Sequence, residues 1–308
     1  MHHRAQSRRP AVAALALTTA GGLLLSGCGS GGGTAAQDPV QELRAQLPKA
    51  QQSAKVLRIG MDVNYPPVEF RGADGKPDGL DPDLAAALGR ILDLRIEYVD
   101  TPFDKLLPDL HNKQYDVVMS ALSDIRQRRE GVDETGKVTG PAVDFVDYFI
   151  AGTSMVVAKG NPKGIRTLDD LCGKTVAVQS GTTQDEIVAR QVTACTRAGK
   201  PLTVHKFDTD AKALAEVAAG GAQVGLNDFP VAAHAAKNTD GGNRFEVTGS
   251  QSRSNPYGIA LRKEDAALRD VLAKAVDQLI RSGEYDRILA KWNVTAGAAQ
   301  NAVVNGGI

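Results

Sequence analysis

Residues 56–122 read VLRIGMDVNYPPVEFRGADGKPDGLDPDLAAALGRILDLRIEYVDTPFDKLLPDLHNKQYDVVMSAL, and the succession of patterns within them decides the fold. VLRIGMDV is a short apolar run that reads as a strand. Asp81-Pro82-Asp83 predicts a helix start, with Asp81 at the N-cap and Pro82 at the first helical position, where a missing N–H costs nothing. Leu84, Leu88, Ile91 and Leu92 then recur at helical spacing. RIEYVD follows as a strand, FDKLLPDLHNK as a short helix around Leu106, Leu107 and Leu110, and YDVVMSAL as a third strand. This βαβαβ order predicts a mainly parallel sheet with helices on its faces, because parallel neighbours require a crossover.

The rhythm repeats after a break. TSMVVAKG, TVAVQSG and LTVHKF read as strands around the helix DEIVARQVTA, and ALAEVAAG, QVGLND, PVAAHAAK and FEVTG continue the second unit. YGIALRK then reads as a strand, ALRDVLAKAVDQLIRSG as a long amphipathic helix and YDRILAKW as a shorter one. Residues 294–308 are rich in Ala, Gly and Asn and read as a frayed tail. A chain of 308 residues, 42% hydrophobic, can support two such units with real cores.

Acidic and basic residues balance at 36 each, so no polyanionic partner is implied and nucleic-acid binding is not expected. The N-terminus carries Arg4, Arg8 and Arg9 before AVAALALTTAGGLLL, an uncharged run too short and too Gly-interrupted to span a bilayer comfortably. It reads as an export signal over residues 1–27. Leu25-Ser26-Gly27-Cys28 resembles the bacterial lipobox, which implies lipidation of Cys28 and anchoring to the outer side of the cell membrane. An ordinary secretory signal and a twin-arginine route through Ser7-Arg8-Arg9 are the alternatives. GSGGGTAAQDP follows Cys28, and residues 28–54 are expected to form a flexible tether. In an exported chain, Cys172 and Cys195 predict a disulfide, with two buried free thiols as the alternative. His111, His205 and His234 stand apart from one another and from any Cys pair, so neither a metal nor a cofactor is expected.

The joint order of several segments resembles the amino-acid-binding extracytoplasmic solute receptors of ABC importers, solute-binding family 3. Those segments are IGMDVNYPPVEF, GLDPDLAAALGRILDLRIEYVD, FDKLLPDLHNKQYDVVMSALSDIRQRRE, VDFVDYF, TVAVQSGTT, QVGLNDFPVA, YGIALRKED and SGEYDRILAKW. The resemblance implies an α/β, two-lobed clamshell of the type II periplasmic-binding-protein kind, each lobe a mainly parallel sheet flanked by helices. Lobe 1 is expected over residues 55–149 and 257–293, and lobe 2 over residues 151–254. The implied partners are a free amino acid, a membrane permease and, through the anchor, the membrane, with the protein itself a monomer.

The resemblance also implies a ligand set, and its chemistry is sensible. A free amino acid needs a fixed cation for its carboxylate and a fixed anion for its ammonium, and an arginine fork binds a carboxylate through two parallel hydrogen bonds. Arg128, five positions after Ser123, matches the carboxylate ligand, while Arg126 and Arg129 read as exposed helical charges. Ser123 and Thr183 match backbone donors at helix N-termini, Asp228 the anion for the ammonium, and Ala121 a carbonyl acceptor for it. Asp228 can equally be read as the N-cap of PVAAHAAK. Tyr65 and Phe103 match the aromatic pair around the ligand's aliphatic part. Asp62, Gln179 and Gln184 match positions facing the ligand side chain, and favour a polar or charged amino acid. Ile125 and Arg126 depart from the family's Thr and Pro, and EGVDETGKVTGPA, residues 130–142, is an extra segment expected to be a surface loop or a lid. Two rival functions share the fold: a dehydratase-like enzyme using Asp62 or Glu69 as acid or base, and an amino-acid-sensing lipoprotein with no transport role.

Overall fold

Two long antiparallel strands, Val143–Ala158 and Phe245–Arg262, organise the molecule. They pair from Val143 opposite Arg262 at one end to Ala158 opposite Phe245 at the other. The computed structural model describes residues 38–307, so the predicted export segment and Cys28 lie outside the described residues. The nine-stranded sheet runs Arg95–Asp100, Val56–Met61, Val117–Val118, Phe245–Arg262, Val143–Ala158, Val224–Asp228, Thr175–Gln179, Thr203–Phe207, with Ala298–Val304 pairing laterally on Val143–Ala158. The outer strands on each side are parallel, joined to the central pair by antiparallel edges.

The register of the central pair slips between Thr248 and Ser252, between Ser252 and Asn255, and between Tyr257 and Gly258. Such irregularities bend and twist a strand, and here they divide the sheet into two lobes. VDFVDYF and TSMVVAKG, predicted as separate elements, are two ends of one continuous strand that crosses between them. Each lobe has its own apolar packing. Leu57, Ile59, Leu84, Leu88, Leu272 and Leu279 fill one face of lobe 1, with Leu106, Tyr115 and Phe145 on the other. Val176, Ile187 and Leu226 pack in lobe 2 on one side, with Ala213, Val217 and Phe245 opposite. Cys172 and Cys195 form a disulfide that pins the turn before Thr175–Gln179 to the helix Thr183–Arg197.

Three local expectations are corrected. Residues 39–54, expected within the tether, form the helices Pro39–Gln46 and Lys49–Ala54. Leu43 and Leu47 are buried against lobe 1, and Arg44 donates to the carbonyls of Ile91 and Arg90, where the helix Leu80–Leu92 leaves acceptors unsatisfied. The tail expected to fray instead contains the strand Ala298–Val304. Its amides are held by neighbours distant in sequence: Ala299 N–H by the Tyr285 hydroxyl and Ala302 N–H by Asp277. Asp81 is not an N-cap, since the helix begins at Leu80 after Gly79. Its buried carboxylate accepts instead from Ala121 N–H at 3.0 Å and Tyr148 Oη at 2.7 Å.

Candidate functional site

Parallel strands leave a crevice beyond their carboxyl ends, where connecting segments present side chains and backbone to a common space. Asp62 and Tyr65 follow Val56–Met61, Phe103 follows Arg95–Asp100, and Ala121 and Ser123 follow Val117–Val118. Gln179 ends Thr175–Gln179, Thr183 and Gln184 open Thr183–Arg197, and Asp228 ends Val224–Asp228. All ten residues singled out from sequence, Arg128 included, line one tight cavity of ≈ 20 Å³, together with Glu69 and Thr182. A roomier groove at the hinge, lined by Phe149, Ile150 and Trp292, lacks convergent buried charges and is not the better candidate.

The turn after Val117–Val118 is held in one shape by its neighbours. Ala121 is held at φ +44°, a left-handed conformation that costs about 1–2 kcal/mol for a residue with a Cβ, and the Asp81 carboxylate on its N–H fixes it there. Ser123 faces Tyr257 as an isolated bridge, flanked by the bonds Asp124 N to Pro256 O and Gly258 N to Leu122 O. This is a non-hydrogen-bonded pair, so the Ser123 N–H and C=O point away from the neighbouring strand. Its carbonyl accepts from Arg128 Nη1 at 2.9 Å. Ser123 is therefore not at a helix start; the short helix is Arg126–Glu130, with extended Ile125 at its N-cap. The Arg128 guanidinium also reaches the Gly181 carbonyl of lobe 2 at 3.4 Å and lies 5.6 Å from the centre of the Phe103 ring. Burial lowers its pKa to about 10, opposed by Glu186, Asp228 and Asp124, so it is a cation at neutral pH.

Lobe 2 supplies the complementary charge. The Asp228 carboxylate accepts from Gln184 Nε2 at 2.7 Å and Tyr65 Oη at 3.2 Å. It occupies the N-cap position of Phe229–Asn238 yet makes no side-chain capping bond; its oxygens are turned to the cleft. Burial pushes its pKa up to about 6. Thr182 caps the helix Thr183–Arg197 through Asp185 N–H, leaving Thr183 in the first turn, where backbone donors lack intrahelical partners.

The third side of the cavity is carboxyl-rich. Asp62 accepts from Asn64 and, across the cleft, from Gln179 Nε2 at 3.0 Å, and burial raises its pKa. Glu69 accepts from Ser120 Oγ at 2.9 Å through one oxygen, while its other oxygen is buried without a hydrogen-bond partner. Burial and the Asp81 charge push Glu69 well above the usual carboxylate range. Glu69 was legible only as an isolated acid; what places it at the site is the short hairpin Asn64–Tyr65 with Glu69–Arg71.

The two other arginines of Ser120–Glu130 differ from each other. Arg126 is exposed and paired with Glu130 at 2.8 Å, as its helical spacing predicts. Arg129 is not a free surface charge: it pairs with Asp124, whose side chain is fully buried. The extra segment is a small hairpin closed by a Val132–Val138 bridge. Its Glu134 pairs with Arg190 of lobe 2.

Fold and site together define a two-lobed receptor for a small solute. Residues 57–295 match the model of the bacterial extracellular solute-binding proteins, family 3, and the chain belongs to that family. It is 32% identical to the arginine-binding protein ArgT of Corynebacterium glutamicum over 87% of this chain and 84% of that protein. Among solved structures, an ancestral arginine-binding protein bound to arginine matches with a TM-score of 0.68 and 32% identity, over 77% of this chain and 98% of that one. An ancestral amino-acid-binding protein, described as a precursor of cyclohexadienyl dehydratase, matches with a TM-score of 0.68 and 30% identity, over 79% and 97%.

Proposed function

We propose that this chain is the substrate-binding lipoprotein of an ABC importer, capturing a polar, preferably cationic L-amino acid and delivering it to a membrane permease. The observation that carries this reading is the opposition of Arg128 and Asp228 across one small cavity, with Asp62 and Glu69 on its third side. Arg128 and the Ser123 and Thr183 amides receive the α-carboxylate, and Asp228 with the Ala121 carbonyl receives the ammonium. Tyr65 and Phe103 flank the aliphatic stem. Asp62, Glu69, Gln179 and Gln184 receive the side chain, and the excess of acids there favours a cation. Because these groups come from both lobes, a bound amino acid bridges them and favours the closed arrangement, the form a permease recognises. Lipid on Cys28 keeps the receptor at the outer face of the membrane.

This reading makes the protein a carrier rather than a catalyst. Asp62 and Asp228 are each engaged by two side-chain donors, which suits fixed charges better than proton shuttles. The test is a thermal-shift panel of the twenty amino acids against protein lacking residues 1–28. A ligand at a hundred times its Kd adds about 2.7 kcal/mol, which for a chain of this size raises Tm by roughly 5–10 °C. A panel in which no amino acid moves Tm refutes the proposal, and recovery of a chemically altered ligand refutes the carrier reading.

A further inference from the structure

We infer that the C-terminal segment, Ala298–Gly307, is a strap that positions the carboxylate-binding turn through Asp124. This deepens the reading of the site given above and rests on it. The segment lies beyond the family-matched region, which ends at residue 295. It is nonetheless fastened along its whole length to lobe 1. Ala299 N–H bonds Tyr285 Oη at 2.9 Å, and Ala302 N–H bonds Asp277 at 2.8 Å. Asn305 accepts from Phe145 N–H at 2.8 Å and donates to Asp144 at 3.0 Å.

The end of the strap reaches the back of the site. Gly306 N–H donates to Asp147 Oδ2 at 2.9 Å, and Gly307 N–H donates to Asp124 Oδ2 at 2.8 Å. The other Asp124 oxygen accepts from Arg129, and the Asp124 N–H bonds the Pro256 carbonyl. Asp124 immediately follows Ser123, whose carbonyl holds Arg128. The same buried carboxylate thus ties the strap to both ends of the Ser123–Arg129 turn. Nothing on the strap lines the cavity, so it acts by position alone.

The fit is close enough to require glycine. A Cβ at Gly307 would stand 1.9 Å from the Asp124 carbonyl oxygen, and one at Gly306 would stand 2.6 Å from Val303 and 2.9 Å from Asp147 Oδ2. Asp124 and Asp147 are also buried acids close enough to repel: burial first, and then the Asp124 charge, hold the Asp147 carboxyl up at about 7. The two glycine amides and Arg129 are the donors that let these acids share the space.

The test uses Gly307→Pro in the full chain, which removes the donor to Asp124, with Gly307→Ala as a second variant that removes the close fit but keeps the N–H. Gln300→Ala, exposed on the same strand, is the control. Two readouts are taken: hydrogen exchange of the residue 122–130 amides without ligand, and affinity for L-arginine by calorimetry. The strap predicts faster exchange in 122–130 and roughly tenfold weaker binding for both glycine variants, with the lobe-2 strands still protected and Gln300→Ala unchanged. Unchanged exchange in 122–130 together with released tail amides overturns the inference. Undiminished affinity in the glycine variants, where the parent binds arginine, also overturns it. A parent that binds no amino acid refutes the functional reading instead, and the exchange result still decides the strap.

Discussion

Alanine substitution of the three arginines at 126, 128 and 129 separates a ligand contact, a structural pair and a surface charge. Arg128 spends two of its five N–H donors on the Ser123 and Gly181 carbonyls, leaving three, enough for a bidentate carboxylate. Removing it leaves an anionic ligand group in a desolvated site with no cation, a loss of about 2–5 kcal/mol, or about 30- to 5,000-fold in Kd. Arg129→Ala strips one donor from buried Asp124 and costs stability first, about 3 kcal/mol for an uncompensated buried charge. At about 2–4 °C per kcal/mol that lowers the ligand-free Tm by roughly 6–12 °C. Its affinity loss should be about that of Gly307→Pro, since both loosen the same carboxylate. Arg126→Ala removes one exposed i,i+4 pair, at most about 0.5 kcal/mol, and should leave both readouts where they are. Calorimetry with L-arginine and thermal melts of the ligand-free proteins measure the six values. Equal affinity losses for all three, or none for Arg128→Ala, refute the assignment of roles.

Three further outcomes follow from the geometry. Asp228 must be ionised to pair with an ammonium and titrates at about 6 in the free site; a bound ammonium lowers that value, so binding releases a proton and affinity falls as pH drops below 6. Calorimetry should show about tenfold weaker binding at pH 5 than on the plateau above pH 7, and a flat profile from pH 5 to 8 excludes Asp228 as the ammonium partner. Replacing both Cys172 and Cys195 with serine reopens a loop of 23 positions, a loss of about 3 kcal/mol by the chain-entropy model, visible as a lower Tm with the ligand preference retained. Cys28→Ser should move the protein from the membrane fraction to the medium or periplasm; continued membrane association argues against the lipid anchor.

How much of this was legible beforehand depends on the scale of the cause. The helical spacing of Leu84, Leu88, Ile91 and Leu92 and the strand runs around them record burial along single elements, and the structure has those elements. The ten cavity residues could be placed because the resemblance fixed their order, and most of them fall just after a strand or at a helix start. Asp81 was misread because a cap and a buried acceptor use the same residue type, and only the position of Ala121 tells them apart. Arg129 was misread because charge spacing on a helix does not reveal which side meets Asp124.

Sequence by itself determined the α/β class and the repeated strand–helix rhythm, which are written in local periodicity, and through the family resemblance it pointed to the charges that meet in the cleft. Tertiary structure alone decided that one strand runs unbroken between lobes, that residues 39–54 fold onto lobe 1, and that AAQNAVV forms a strand. The last has the clearest physical reason. Its Ala, Gln and Asn residues have little strand preference of their own, and the segment is placed by pairing with Phe149, Asp147 and Val146, about 150 positions earlier in the chain.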